Sequence, residues 1–195
     1  MQDHLINVSH QALIQLLSDE DLPLHCNGQT LRSLIQHDLP QSVLQKIQYA
    51  LELARRYYAE PLRQRPVLSS SQATQTFLIA ALRDYDNEVL ACLFLDTHNR
   101  MIEFEVLFEG SINKSEVYPR TLVKRALYHN AAHIILAHNH PSGCLQPSKA
   151  DFCLTRRLQG IMRALDMSVL DHIVVAGHQA QSIWTEKEGG KRACV

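Results

Sequence analysis

The chain of 195 residues predicts an α/β fold: a mixed sheet flanked by helices, preceded by a small all-α helical module. Three observations carry that expectation. Residues 88–110 alternate like a hairpin. Apolar residues at three- and four-residue intervals mark helices before and after it. The Pro- and Ser-rich segment EPLRQRPVLSSSQ marks a change of style near residue 65. The expected units are therefore 1–65, helical, and 66–195, α/β.

In chain order, residues 9–17 (SHQALIQLL) and 42–58 (SVLQKIQYALELARRYY) read as helices. In the second, Val43, Leu44, Ile47, Ala50, Leu51 and Ala54 fall on one face, and Ser42 after Pro40 reads as its N-cap. Between them lie a turn-rich connection, LPLHCNGQT, and a short apolar stretch, LRSLIQHDL. Ser71 opens a helix through Arg83, with Ala73, Phe77, Ala80 and Ala81 or Leu82 inward. EVLACLFLD (88–96) is a strand, THNR a turn, and MIEFEVLFEG (101–110) the returning strand. Strict alternation there puts Ile102, Phe104, Val106 and Phe108 on one face and Glu103, Glu105, Leu107 and Glu109 on the other. A loop ending in YPR leads to a helix, TLVKRALYHNA, then to a buried strand, HIILAHNH. A helix from Ser148 to about Asp166 and the strands SVLDHIVVAG and QSIWTE complete the chain's regular elements.

Composition excludes several classes. Net charge is −1, so no global field draws the chain to nucleic acid or an anionic membrane. The first 60 residues carry Arg32, Lys46, Arg55 and Arg56 against seven acids, the reverse of what a phosphate-binding arm needs. Apolar runs are strand-sized, which argues against a membrane span, and MQDHLINVSH does not read as a signal peptide; a cytoplasmic location is the expectation. Five cysteines without a C-x-x-C pair form neither a disulfide framework nor a zinc ribbon.

The densest polar cluster lies just past an apolar run: ILAHNHPSGCLQPSKADF. Residues two apart on a strand point the same way, so His138 and His140 present both imidazoles on one side. Asp151, in the first turn of the next helix, supplies a third donor. Two nitrogens and one oxygen leave a tetrahedral Zn2+ with one open position, the arrangement of catalytic zinc. Ser148-Lys-Ala-Asp151 is equally close to a capping box, which accounts for the same pair without a metal. Ser148 can cap and still offer its hydroxyl to a substrate. No H-E-x-x-H is present, nor the H-x-E…P-C-x-x-C of zinc deaminases. Two histidines and a carboxylate also hold non-haem iron. The contiguous string HNH is not the dispersed nuclease motif.

His138, His140, Pro141, Ser148 and Asp151, spaced H-x-H-P-x6-S-x-x-D, resemble the signature of JAMM (MPN-plus) metallopeptidases. The fuller HNHPSG…PS…D, with YPR upstream and LDHIVV downstream, resembles the bacterial RadC branch over about residues 66–185. The resemblance implies a JAB/MPN, cytidine-deaminase-like domain. It also implies a zinc hydrolase acting on a peptide or isopeptide carbonyl of a peptide or protein substrate. In it His138, His140 and Asp151 hold the zinc, Glu105 of EVLFEG moves the proton, and Ser148 steadies the oxyanion. The residues alone do not choose Glu105 over Glu103 or Glu109. Cys144 departs from the small polar or acidic residue usual at that turn and reads as a partly exposed free thiol. His172 reads as packing or as support for a metal-bound imidazole, and Arg120 as cleft lining or a helix-entry ion pair. The helix–hairpin–helix turn of such chains lacks its glycines here, in HDLPQSV, so residues 1–65 read as a degenerate scaffold. The alternative function the resemblance implies is a DNA repair or recombination factor with a structural or inactive metal site. DNA binding finds no support in the charge. The exposed hairpin edge would permit a homodimer.

Overall fold

The computed structural model describes residues 10–18, 39–69, 71–110 and 119–184. The expected connection and apolar stretch between 19 and 38, the loop up to Tyr118, residues 185–186 of the last strand, Cys26 and Cys194 lie outside them. The chain's own contacts divide it into Met1–Ala54 and Arg55–Val195.

In the first unit, α1 spans His10–Leu17, and α2, Gln41–Gln64, begins there and runs into the second. Ile14, Val43 and Ile47 are buried. Ala50, Leu51 and Ala54, expected on the same inward face, are exposed. The helix starts one residue before Ser42, with Pro40 O accepting from Val43 N and Leu44 N. It also runs six residues further than its periodicity suggested. The reason is packing: Ala59 and Leu62 are buried with Val67 and Phe77, so this end of α2 belongs to the α/β core.

That core is built on five strands. After a 3-10 turn, Val67–Ser69, come α3 (Ser71–Leu82), β1 (Val89–Leu95), β2 (Met101–Glu109), α4 (Pro119–Tyr128) and β3 (His133–Asn139). Next are α5 (Lys149–Arg163), β4 (Ser168–Ala176) and β5 (Gln179–Ser182). The sheet order is β2-β1-β3-β4-β5, with β3 and β4 parallel and every other pair antiparallel. Helix α5 makes the β3-to-β4 crossover that a parallel pair requires.

All seven residues of β1 are buried, because helices cover both faces. Val89, Ala91, Leu93 and Leu95 meet α3 through Phe77, Leu78 and Leu82. Leu90, Cys92 and Phe94 meet α4 and α5 through Leu122, Ala126, Leu154 and Leu158. On α3 the buried face is Thr74, Phe77, Leu78 and Leu82, with Ala73 and Ala81 only partly covered. Strand β2 departs from strict alternation. Leu90 pairs with Phe108 and Ala91 with Val106, so Leu107 is an extra residue in the ladder. One inserted residue flips every later side chain of the strand to the opposite face. Phe104 thus packs toward α3 and Phe108 toward α4 and α5.

Candidate metal centre

The site forms where β3 ends and α5 begins. His138, fully buried, sits between Leu90 of β1 and Val174 of β4. The strand direction carries on for one more residue: His140 N donates to Val175 O at 2.7 Å. The chain then turns through Pro141-Ser142-Gly143, with Gly143 N on His140 O at 3.0 Å and Gly143 at φ +79°. A side chain at that φ would be strained, which is why glycine closes this turn. Four residues past His140, the Cys144 carbonyl lies 2.6 Å from His140 Nδ1. A carbonyl only accepts, so Nδ1 carries a proton and Nε2 is the nitrogen left to face His138. The Cys144 thiol itself is free and exposed.

Ser148 caps α5 through the reciprocal capping box read from its sequence. Ser148 N and Oγ donate to Asp151 Oδ2 at 2.7 and 2.8 Å, and Asp151 N donates to Ser148 Oγ at 3.2 Å. Capping and ligation therefore do not exclude each other. Oδ2 takes the cap, and Oδ1 stands 3.5 Å from His138 Nε2. Burial alone would raise the Asp151 pKa; its contact with His138 and the Ser148 donors outweigh it and hold the carboxyl well below the usual range.

The two imidazole Nε2 atoms face each other at 2.9 Å. Asp151 Oδ2 is 3.8 Å and Glu88 Oε1 3.9 Å from His140 Nε2. Ligand atoms of Glu88, His138, His140 and Asp151 all lie within 4.8 Å of one another. Tetrahedral zinc with bonds near ~2.1 Å sets its ligands about 3.4 Å apart. The two imidazole nitrogens lie 2.9 Å apart, and the Asp151 carboxylate reaches them with Oδ1 at 3.5 Å from His138 and Oδ2 at 3.8 Å from His140, a donor set and spacing that suit such an ion.

Glu88 was not singled out in the sequence. It stands one residue before β1, whose start lies beside the end of β3 because the two strands are antiparallel. Asn139 fixes this approach. Its Oδ1 accepts from Val89 N at 2.7 Å, and its Nδ2 donates to Tyr85 O and Asn87 O at 3.2 and 3.1 Å. The segment carrying Glu88 is thus tied to the residue between the two histidines. Only the strand order reveals this.

Glu105 is placed elsewhere. It pairs with Cys92, which pairs with Leu136, so it lies two strands from β3 and two residues off the level of His138. Strand spacing makes that about 10 Å across and about 7 Å along. Its carboxylate is held by Arg125 Nε at 2.6 Å, by Arg125 Nη2, and by His129 Nε2 at 2.8 Å. The Arg125 hydrogen bond, chiefly, keeps its pKa below the usual range. The structure brings His138, His140, Asp151 and Ser148 together and leaves Glu105 in this separate cluster.

Behind the histidines, His172 Nε2 is 2.8 Å from His138 Nδ1, and its Nδ1 is 2.6 Å from Thr155 Oγ1. Burial pushes the His172 pKa well below the imidazole range. Arg120 lies exposed at the start of α4.

Among the described residues no helix is long and apolar enough to cross a membrane. The RadC-like JAB domain matches residues 68–189. A UPF0758 protein of Azotobacter vinelandii is 50% identical over 138 residues, which is 71% of this chain and 62% of the relative. One from Halorhodospira halophila is 51% identical with the same coverage. A third, from Nitrosococcus oceani, is 44% identical over 162 residues, 78% of this chain and 72% of its own length. The chain thus spans about three-fifths of the first of these relatives. With the domain matching well over half its residues, and with a site at the β3–α5 corner where its histidines and aspartate meet, this chain belongs to the RadC family of JAB-domain proteins.

Proposed function

We propose that this protein is a zinc-dependent hydrolase of peptide or isopeptide bonds. One observation carries the reading: His138, His140 and Asp151 converge on one point, with Glu88 beside them. Membership in a family of JAB domains, which includes metallohydrolases, supports it.

In this reading His138 and His140 contribute Nε2 and Asp151 contributes Oδ1. Zinc, when bound, polarises the substrate carbonyl and makes water acidic enough to attack near neutral pH. Glu88 is the general base. It takes a proton from the attacking water and returns it to the departing amine. Glu88 is favoured over Glu105 because proton transfer needs hydrogen-bond reach, and Glu105 is held by Arg125 and His129. Ser148 acts first by fixing Asp151. Its hydroxyl reaches an oxyanion only by leaving Asp151 Oδ2.

The test is hydrolysis of a panel of fluorogenic peptides and lysine-linked isopeptides by zinc-loaded protein, with Glu88→Gln and Glu105→Gln alongside. Glu88→Gln is expected to keep its zinc and lose about 10²–10⁴-fold in kcat. Glu105→Gln is expected to stay within about tenfold of wild type, since it lies beyond proton-transfer range. A Glu88→Gln variant as active as wild type contradicts the assignment. Zinc-loaded wild type that cleaves no member of the panel contradicts the peptidase reading.

A further inference from the structure

The buried pair behind the histidines has a direction that hydrogen-bond chemistry fixes step by step. Thr155 Oγ1 donates to Asp151 O, one turn back on α5, at 2.6 Å. A hydroxyl has one proton, so toward His172 Nδ1, also at 2.6 Å, Thr155 can only accept. His172 Nδ1 therefore carries a proton. His172 is fully buried, and a charged imidazole there would be costly, so its Nε2 is bare. That bare nitrogen lies 2.8 Å from His138 Nδ1 and accepts from it. His138 is thus protonated on Nδ1, which leaves Nε2, the nitrogen 2.9 Å from His140 Nε2, as the one available to a cation.

We propose that Thr155 and His172 are positioning residues that select the His138 tautomer able to hold a cation. The proposal rests on the zinc-hydrolase reading for its purpose, though the proton order comes from the contacts and the burial of His172 and not from that reading. The chain of bonds starts at the backbone of Asp151 and ends at the ring of His138, so it also ties the helix-borne ligand to the strand-borne one. Removal of the hydroxyl frees His172 to place its proton on Nε2 and donate to His138 Nδ1. His138 must then carry its own proton on Nε2, the nitrogen that would meet the metal. Thr155 and His172 would govern the centre without touching the ion.

Three variants test this: Thr155→Val, which keeps the shape and removes the hydroxyl; His172→Leu, which removes the acceptor; and His172→Gln. In the last, the amide oxygen accepts from His138 and the amide nitrogen donates to Thr155. Zinc affinity is read by competition with a chromophoric chelator, and metal-free thermal melts report folding. Thr155→Val and His172→Leu are expected to weaken zinc binding about 10–100-fold, and His172→Gln to remain within about threefold of wild type. Folded Thr155→Val and His172→Leu proteins that bind zinc like wild type would overturn the proposal.

A second readout needs no metal. Nitrogen NMR of the histidine rings in metal-free wild type is expected to show protons on Nδ1 of both His172 and His138. A His172 protonated on Nε2 instead overturns the proposal, even where the protein binds zinc well. Wild type with the expected tautomers but no zinc affinity supports the proton order and sinks the hydrolase reading, so the two failures are told apart.

Discussion

Replacement of Asp151 by asparagine separates its two duties. The capping face is retained, because the amide oxygen accepts from Ser148 N and Oγ as the carboxylate Oδ2 does at 2.7 and 2.8 Å. The other face changes sign: an NH2 group now meets His138 Nε2, where Oδ1 stood at 3.5 Å. An amide nitrogen is a donor and cannot ligate. Structural zinc contributes about 10–16 kcal/mol over four ligands, or roughly 2.5–4 kcal/mol per ligand, so the lost ligand weakens zinc binding about 10²–10³-fold. Mass action then sets the effect on stability. With free zinc at 100 times the wild-type Kd, the native state gains about 2.7 kcal/mol. Under the same conditions Asp151→Asn sits at or below its own Kd and gains about 0.4 kcal/mol or less. Without metal, the two proteins should differ by no more than about 1 kcal/mol, the scale of a helix cap. Thermal and urea unfolding with and without zinc, beside a chelator competition, gives all these quantities. An asparagine variant with the full zinc-dependent stabilisation would show that Asp151 only caps α5.

Three other expectations concern the scaffold. The lowered Glu105 pKa means that its ionised form stabilises the fold above the ordinary glutamate range, and that this contribution disappears as pH falls through the lowered value. The melting-temperature gap between wild type and Glu105→Gln should therefore be clear near neutrality and shrink as pH falls below the ordinary glutamate range; a gap independent of pH refutes the assignment. Asn139→Ala removes three hydrogen bonds from the approach to Glu88 and should cost about 1–3 kcal/mol in urea unfolding, with hydrolysis falling alongside. Leu93→Ala, fully buried in the middle of β1, should cost about 2–5 kcal/mol, whereas Leu127→Ala on the exposed side of α4 should stay within about 0.5 kcal/mol.

Local features were the legible part of the sequence. The hairpin, the β3 strand and the α5 cap were readable because period-two alternation and S-x-x-D spacing act over a few residues. His138, His140 and Asp151 share one corner and needed no knowledge of strand order. Glu88 needed it: nothing near residue 88 says that β1 lies antiparallel to β3 with Leu90 opposite His138. Thr155 and the bond that joins it to His172 were hidden for the same reason, since an i−4 threonine and a strand histidine look ordinary until α5 is laid over β4. Glu105 drew attention through a resemblance in its neighbourhood, but the register of β2 places it beneath α4 beside Arg125. The bulge at Leu107 is likewise unreadable from alternation, because one extra residue changes every face beyond it.

X-ray absorption at the zinc edge, on protein loaded with one equivalent of zinc, addresses the centre itself. The expected spectrum has two imidazole nitrogens and one carboxylate oxygen at about 2.0–2.2 Å, plus a water-derived oxygen that a competing anion displaces. His138→Ala should remove one imidazole from that shell. A spectrum of zinc surrounded by solvent oxygens alone, unchanged in His138→Ala, would contradict the metal centre described at the end of β3.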